Sequence, residues 1–139
     1  MERTLILVKP DAIERRLGGA IIERLEKAGL KLVGLRMLRM DNALAERHYA
    51  VHAGKSFFKD LIAYITSTPI IAAVFEGEGA VEMARKTMGA TNPAKAEPGT
   101  IRRDFGLDLT QNSVHGSDSP ETAATEIRLF FRDGEIFDY

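Results

Sequence analysis

The fold prediction starts from residues 4–11, which read TLILVKPD. Residues 4–8 form a short run of apolar and β-branched side chains, and the run stops at Lys9 and Pro10. Such a run is typical of a buried strand, and a proline at its end favours a turn because it lacks a backbone donor. The sequence therefore predicts a first strand that ends in a loop at Lys9, Pro10 and Asp11.

The rest of the chain predicts an alternation of helices and strands. Apolar residues at helical spacing predict a helix from Leu17 to a cap at Gly29, and a final helix that begins at Ser119 and Pro120. The other predicted elements are strands at residues 30–40, 69–75 and 113–115 and helices at residues 42–52, from Ser56 and at residues 80–88, which Gly89 closes. This order favours an α+β, ferredoxin-like sandwich with a doubled β-α-β plan, in which helices pack on an antiparallel four-stranded sheet.

Composition limits the function classes. A chain of 139 residues is long enough for one compact core, so we expect a single domain over residues 1–139. Nineteen basic against twenty acidic residues give a net charge of −1, which provides no general attraction to nucleic acid or anionic lipid. The absence of cysteine excludes disulfides and thiolate chemistry. With apolar runs too short for a membrane span and no pattern of a secretory signal, we expect a cytoplasmic protein.

Residues 90–114 contain prolines and glycines but no sustained period, and an irregular segment of this length in a small domain is usually functional.

Gly54-Lys55-Ser56 resembles the end of a phosphate-binding loop, but the first glycine of that pattern would fall at Tyr49. We therefore assign no phosphate-loop role to it.

The histidines are the candidate nucleophiles. Taken singly, His48, His52 and His115 are typical of surface or hydrogen-bonded structural residues. His115 differs because residues 112–118, NSVHGSD, surround it with small and hydrogen-bonding side chains. A neutral imidazole with one free nitrogen is a nucleophile. Glu126, at the edge of the apolar stripe of the final helix, could orient that ring, although helix geometry alone slightly favours a surface ion pair for it.

Residues 112–118 resemble the active-site signature of the nucleoside diphosphate kinases, and the similarity extends over nearly the whole chain. Further matches follow in family order and spacing at residues 8–11, 48–49, 57–58, 89–93 and 98–102. The resemblance implies a ferredoxin-like core and transfer of the γ-phosphoryl group from a nucleoside triphosphate, typically ATP, to a nucleoside diphosphate. The transfer would follow a ping-pong mechanism through a phosphohistidine at His115.

The resemblance also implies roles for other residues near His115. Lys9 and Asn112 match residues that contact the sugar hydroxyls, and Lys9 would also lie near the transferred phosphate. Ser117 and Glu126 match residues that support the histidine.

Phosphate and base contacts follow in the same way. The residues that match phosphate-binding positions are Tyr49, Arg85, Thr91 and Arg102. Phe57 matches the aromatic residue on which the base stacks, and Leu109 falls at an apolar position on the other face of the base. Because every base offers a π-face, a site built in this way is expected to tolerate different bases.

Family members are typically hexamers or tetramers, so we expect a homo-oligomer. We also expect Mg²⁺ to arrive with the nucleotide, because the sequence shows no carboxylate cluster for an all-protein site. Two positions depart from the family pattern: Ser56 stands where many relatives have proline, and Thr68 where many have glycine. Neither has an assigned role.

Two alternatives belong to other function classes. A β-α-β-β-α-β core can display stacking aromatics for nucleic-acid binding, but residues 4–8 contain no aromatic side chain and the charge is balanced. A non-catalytic nucleotide-binding module is the other alternative, and the presence of His115 opposes it.

Overall fold

Four antiparallel strands form one sheet in the computed structural model, which describes residues 1–139. The strands are β1 (Glu2–Val8), β2 (Lys31–Leu38), β3 (Ile70–Gly77) and β4 (Val114–Gly116). They lie in the order β2-β3-β1-β4, so β1 is central and pairs with both β3 and β4. The predicted α+β, ferredoxin-like sandwich is confirmed.

Seven α-helices connect and cover the strands. They are α1 (Pro10–Glu14), α2 (Gly18–Lys27), α3 (Asn42–His48), α4 (Phe58–Ile65), α5 (Ala80–Met88), α6 (Ile101–Phe105) and α7 (Pro120–Phe130). Short 3-10 turns occupy Ala50–His52, Pro93–Lys95 and Asp133–Glu135. No helix is both long and apolar enough to span a membrane.

Both faces of the central strand are buried. Leu5 and Leu7 belong to one apolar cluster, while Ile6 and Val8 belong to a second cluster on the opposite face. Successive side chains of a strand point to opposite faces, so a strand covered on both sides is apolar at every position rather than at alternate ones. This explains the unbroken apolar run of residues 4–8 and gives β4 a rigid neighbour.

The structure corrects several predicted boundaries. The loop predicted after β1 is the short helix α1, which begins at Pro10. Proline lacks a backbone N–H, and the first position of a helix has no intrahelical acceptor for one. The helix predicted over residues 42–52 ends at His48 and continues as a 3-10 turn. The irregular segment 90–114 contains α6, whose first turn is capped by the Thr100 hydroxyl. Helices of five residues are too short to show a period in the sequence.

Candidate active site

His115 lies in the short strand β4, opposite Leu7 of β1. Its Nε2 is 3.1 Å from both carboxylate oxygens of Glu126 on α7. A proton on Nε2 is therefore donated to the carboxylate, and the lone pair of Nδ1 stays free. The His115 side chain is 25% exposed, so an external molecule can reach the ring.

Glu126 is buried, with 8% of the residue exposed, so the alternative interpretation as a surface ion pair is wrong. The Ser117 hydroxyl donates to its Oε1 at 2.6 Å and also accepts a long bond from the backbone N–H of Leu5. Burial alone would raise the pKa of Glu126, but the hydrogen bond and charge of His115 and the Ser117 bond hold that pKa below its usual value. Glu126 on α7 is thus a carboxylate that hydrogen bonds hold in place, directly to His115 of β4 and through Ser117 to Leu5 of β1.

The backbone around His115 is constrained on both sides. A Cβ at Gly116 would lie 2.7 Å from the Sδ and Cε atoms of Met88, so α5 packs directly on β4. Ser113 has a φ of 75°, in the left-handed region that is uncommon for residues other than glycine. Its hydroxyl donates to Oδ2 of the buried Asp11 at 3.2 Å, and its carbonyl accepts from the backbone N–H of Lys9. These contacts join the segment just before β4 to the residues that follow β1.

Lys9 and Asn112 form a buried pair beside β4. Lys9 Nζ donates to Asn112 Oδ1 at 2.8 Å and to the Thr110 carbonyl at 2.7 Å. The Asn112 amide donates in turn to the carbonyls of Thr91 and Leu109. Burial and, next, the charge of Arg102 lower the pKa of Lys9 to about 8. An ammonium has three donors, so one N–H of Lys9 is left for a ligand.

Arg102 is the second buried cation of the site. It donates to the carbonyls of Gly89 at 3.0 Å and Val114 at 2.9 Å, while its Nε has no partner. Burial and the nearby charge of Arg85 lower the pKa of Arg102 to about 10. Arg85 itself is exposed on α5. The guanidinium groups of Arg85 and Arg102 therefore concentrate positive charge at this end of the site, which suits an anionic ligand.

Tyr49 and Phe57 frame the site from the helical pair α3 and α4. Tyr49 is buried, and burial together with the charge of Glu126 raises its pKa to about 12, so its hydroxyl stays a donor. Phe57 precedes α4 and is 44% exposed. The ring of His52 lies between the rings of Tyr49 and Phe57. Leu109, also exposed, lies in the loop before β4.

The site residues predicted from the sequence thus fall into two groups, those joined by hydrogen bonds and those whose side chains are exposed. Hydrogen bonds join His115, Glu126 and Ser117 directly, and a second set joins Lys9 to Asn112. The side chains of Phe57, Arg85, Thr91 and Leu109 are exposed to solvent instead.

Sequence reasoning missed two residues. The His48 side chain is 1% exposed and neither ring nitrogen has a hydrogen-bond partner, so it is not the surface or hydrogen-bonded residue that single histidines usually are. Its Nδ1 lies 3.9 Å from Glu126 Oε2. The buried Asp11 accepts from the hydroxyls of Ser113 and Tyr64. Both residues lie in segments that match the family, at residues 48–49 and 8–11, which is the signal that could have found them.

Comparisons with known proteins agree on one family. The family model for nucleoside diphosphate kinase matches residues 2–136. A nucleoside diphosphate kinase of Dehalococcoides mccartyi is 63% identical over 139 residues, covering all of this chain and 98% of the relative. One of Thermomicrobium roseum is 58% identical over 139 residues, covering all of this chain and 93% of the relative.

Solved structures give the same result. The nucleoside diphosphate kinase of Aquifex aeolicus superposes with a TM-score of 0.95 at 41% identity, covering 98% of this chain and 99% of that one. The Halobacterium salinarum enzyme, solved in complex with CDP, superposes with a TM-score of 0.96 at 48% identity, covering 99% of this chain and 92% of that one. The chain belongs to the nucleoside diphosphate kinase family and is an enzyme, a nucleotide-binding kinase.

Proposed function

We propose that His115 carries the phosphoryl group between the two nucleotides. The observation that carries this proposal is the position of Nε2, which lies 3.1 Å from both oxygens of the buried Glu126 carboxylate and leaves Nδ1 free. A ring held in this way presents its lone pair in one direction, which is what an in-line displacement needs.

The reaction then divides into two balanced steps. In the first, the Nδ1 lone pair attacks the γ-phosphorus of the nucleoside triphosphate. The bond from that phosphorus to the bridging oxygen breaks, and the diphosphate leaves with the electron pair. The ring keeps its proton on Nε2, where the Glu126 carboxylate stabilises the positive charge. In the second step, a phosphate oxygen of another nucleoside diphosphate attacks the phosphorus of the phosphohistidine. The bond from phosphorus to Nδ1 breaks, and its electron pair returns to Nδ1, which restores the neutral ring.

Positive charge on one side of β4 supports this role. The charge of Arg102 lowers the pKa of Lys9, and the charge of Arg85 lowers the pKa of Arg102. A polyphosphate is the ligand that would neutralise these cations. We propose that these three residues, with the Tyr49 hydroxyl and Thr91, hold the phosphate oxygens. Neutralising those oxygens and aligning the phosphorus supply most of what phosphoryl transfer requires.

The nucleoside would occupy the exposed side of the site. We propose that Lys9 and Asn112 bind the sugar hydroxyls, and that Phe57 and Leu109 contact the faces of the base. The exposure of both apolar side chains supports this assignment. Stacking does not discriminate bases by their edges, so broad base and sugar tolerance is expected.

Mg²⁺ is the cofactor that we propose, bound through the nucleotide. The chain offers one group of three possible metal ligands, which includes two imidazoles and only one carboxylate. Mg²⁺ prefers an octahedron of oxygen ligands, so this group does not suit it. When bound, the ion would reduce the negative charge of the phosphates, while the residues named above would hold the phosphate oxygens.

We propose a homo-oligomer, a hexamer or tetramer, of one catalytic domain over residues 1–139. β2 is an edge strand of the sheet with Leu35 and Met37 exposed, and such an edge is a surface for association. The cysteine-free composition suits the cytoplasm, and the proposed reaction requires neither a membrane nor nucleic acid.

The test is to incubate the chain with γ-labelled ATP and Mg²⁺ and to look for an acid-labile phosphoprotein. We expect a label that added nucleoside diphosphate removes, with formation of the labelled triphosphate. His115→Ala is expected to take no label, while His52→Asn is expected to take it. An unlabelled wild type, or equal labelling of His115→Ala, would refute the mechanism.

A further inference from the structure

His48, His115 and Glu126 bring two imidazoles and a carboxylate to one point between α3, β4 and α7. We propose that these three residues bind a borderline divalent transition-metal ion such as Zn²⁺, and that the bound ion prevents phosphorylation of His115. The binding stands on the geometry of the three side chains. The inhibition rests on the proposed role of His115.

The distances suit a tetrahedral ion. The ligand atoms all lie within 4.8 Å of one another. His115 Nε2 is 3.1 Å from Glu126, and His48 Nδ1 is 3.9 Å from Glu126 Oε2. Ligand bonds of about 2.0–2.1 Å in a tetrahedron separate neighbouring ligand atoms by roughly 3.4 Å. Movements of less than an ångström for most of these atoms would therefore complete three ligands.

His48 provides the independent observation. Its side chain is 1% exposed, yet both nitrogens lack a hydrogen-bond partner. A buried polar group without a partner is destabilising, and such groups in a folded protein call for an explanation. The His48 ring packs against the rings of Tyr49, His115 and Phe130, with 4.7, 4.6 and 5.6 Å between the ring centroids. This packing holds the imidazole in place. A metal ion on Nδ1 would satisfy one of the two nitrogens.

The ligand chemistry selects the ion. The His48 ring is buried and neither nitrogen has a hydrogen-bond partner, which favours the neutral form that metals bind. Two imidazoles and one carboxylate form a common zinc set, with a fourth position for water. The His115 side chain is 25% exposed, which gives the ion a path to the site from solvent.

Occupancy would change the nucleophile. A metal on Nε2 replaces the hydrogen bond from His115 to Glu126 and withdraws electron density from the ring. The neutral ring would then carry its one proton on Nδ1 instead of Nε2, so the lone pair that attacks phosphorus would no longer be available. We therefore expect Zn²⁺ to suppress phosphohistidine formation.

Binding is tested with ZnCl₂ and metal-free protein, in the absence of nucleotide. Equilibrium dialysis followed by metal analysis is expected to show a single Zn²⁺ per chain. His48→Phe keeps a ring in the packed position but has no ligand atom, and it is expected to weaken binding by about 10–100-fold or more. His52→Asn removes a neighbouring histidine outside the group and is the matched control, with unchanged binding expected.

A spectroscopic measurement covers the case in which His48→Phe does not fold. In imidazole ¹⁵N spectra of the wild type, Zn²⁺ is expected to shift Nδ1 of His48 and Nε2 of His115 and to leave His52 unchanged. Absence of zinc binding, equal binding by a folded His48→Phe chain, or shifts confined to His52 would overturn the metal site.

Inhibition is measured as the ratio of phosphohistidine formed with and without preloaded Zn²⁺, with Mg²⁺ and ATP in excess. We expect a reduction of about tenfold in the wild type that chelation reverses. Full labelling of a zinc-loaded chain would overturn the inhibition. A chain that binds Zn²⁺ but forms no phosphohistidine even without it refutes the proposed function and leaves the metal site standing.

Discussion

The ring of His48 packs edge-on against the ring of His115, with 4.6 Å between the ring centroids and an interplanar angle of 82°. His48 therefore packs against the ring of the proposed nucleophile, while Glu126 holds its Nε2 atom. Because the His48 nitrogens make no hydrogen bonds, the packing requires an uncharged ring. This requirement connects the geometry of the site to the pH dependence of folding.

Acid is expected to destabilise the fold through His48. Burial, and then the charge of His115, lower its pKa from 6.5 to about 3 in the folded chain, although Glu126 acts in the opposite direction. The unfolded chain therefore binds the proton more tightly, and stability is lost as the pH falls below about 6.5. Between pH 7 and pH 5 we expect about 2 kcal/mol of loss from this residue.

Urea unfolding at pH 7 and pH 5, with a chelator present, checks this expectation. His48→Phe retains every carboxylate, so the difference between the two chains isolates the imidazole. His52→Asn serves as the control and is expected to lose as much stability as the wild type. Equal losses in the wild type and His48→Phe would contradict the assignment.

Glu126→Gln is expected to slow phosphoryl transfer and to leave nucleotide affinity nearly unchanged. The amide is neutral, so it no longer stabilises the positive ring, whereas the proposed phosphate contacts of Lys9 and Arg102 remain. The loss of a hydrogen bond to a charged group predicts a fall in kcat of about 10–100-fold. Single-turnover labelling and equilibrium nucleotide binding separate the two effects.

Glu121→Gln is the matched control, since Glu121 is exposed on the same helix α7. Its turnover should equal that of the wild type. A large loss of nucleotide affinity in Glu126→Gln with unchanged turnover would show that Glu126 does not support His115.

Deprotonation of the Lys9 ammonium is expected to reduce kcat/KM for the nucleotide at alkaline pH. Burial and the charge of Arg102 lower its pKa to about 8, so the side chain is charged below that pH and neutral above it. We expect kcat/KM to fall above about pH 8, because this parameter reports the free enzyme. A bound polyphosphate favours the charged form, so kcat is expected to stay level over the same range.

Lys9→Gln removes the titrating group. Its kcat/KM is expected to be about 10–100-fold lower at pH 7 and to show no decline near pH 8. Full pH profiles of both chains check this, and an unchanged alkaline decline in Lys9→Gln would assign the titration to another group.

Local signals in the sequence were sufficient to predict the ends of the longer helices. The helix over Ala80–Met88 has its predicted bounds because an apolar stripe with 3.6-residue period ends at Gly89, whose positive φ of 88° takes the backbone out of the helix. The last helix begins as predicted because the Ser119 hydroxyl accepts from the Thr122 N–H and proline follows it.

Other features depend on contacts between distant segments. The burial of His48 follows from the packing of α3 against α7, and no pattern within residues 42–48 shows which side of so short a helix is covered. Residue identities at the site followed from the family resemblance. The atom of His115 that faces Glu126 did not, because it depends on how β4 and α7 meet in three dimensions.

Gly89 joins the end of α5 to the phosphate side of the site, and Gly89→Ala is expected to destabilise the fold. Its φ of 88° and ψ of −178° lie in a region that is essentially restricted to glycine. A Cβ there would also lie 2.5 Å from the Thr100 hydroxyl and 2.7 Å from its Cβ. Strain and overpacking together predict a loss of about 2–4 kcal/mol in urea unfolding.

The same change is expected to disturb Arg102, because the Gly89 carbonyl accepts from its guanidinium at 3.0 Å. Nucleotide affinity should therefore fall together with stability. Gly134→Ala provides the control, since a Cβ at Gly134 meets no atom within 4 Å and its φ is not positive. Stability within about 0.5 kcal/mol of the wild type is expected for that control. An equally stable Gly89→Ala chain would show that the turn can adopt another conformation without loss of the Arg102 contact.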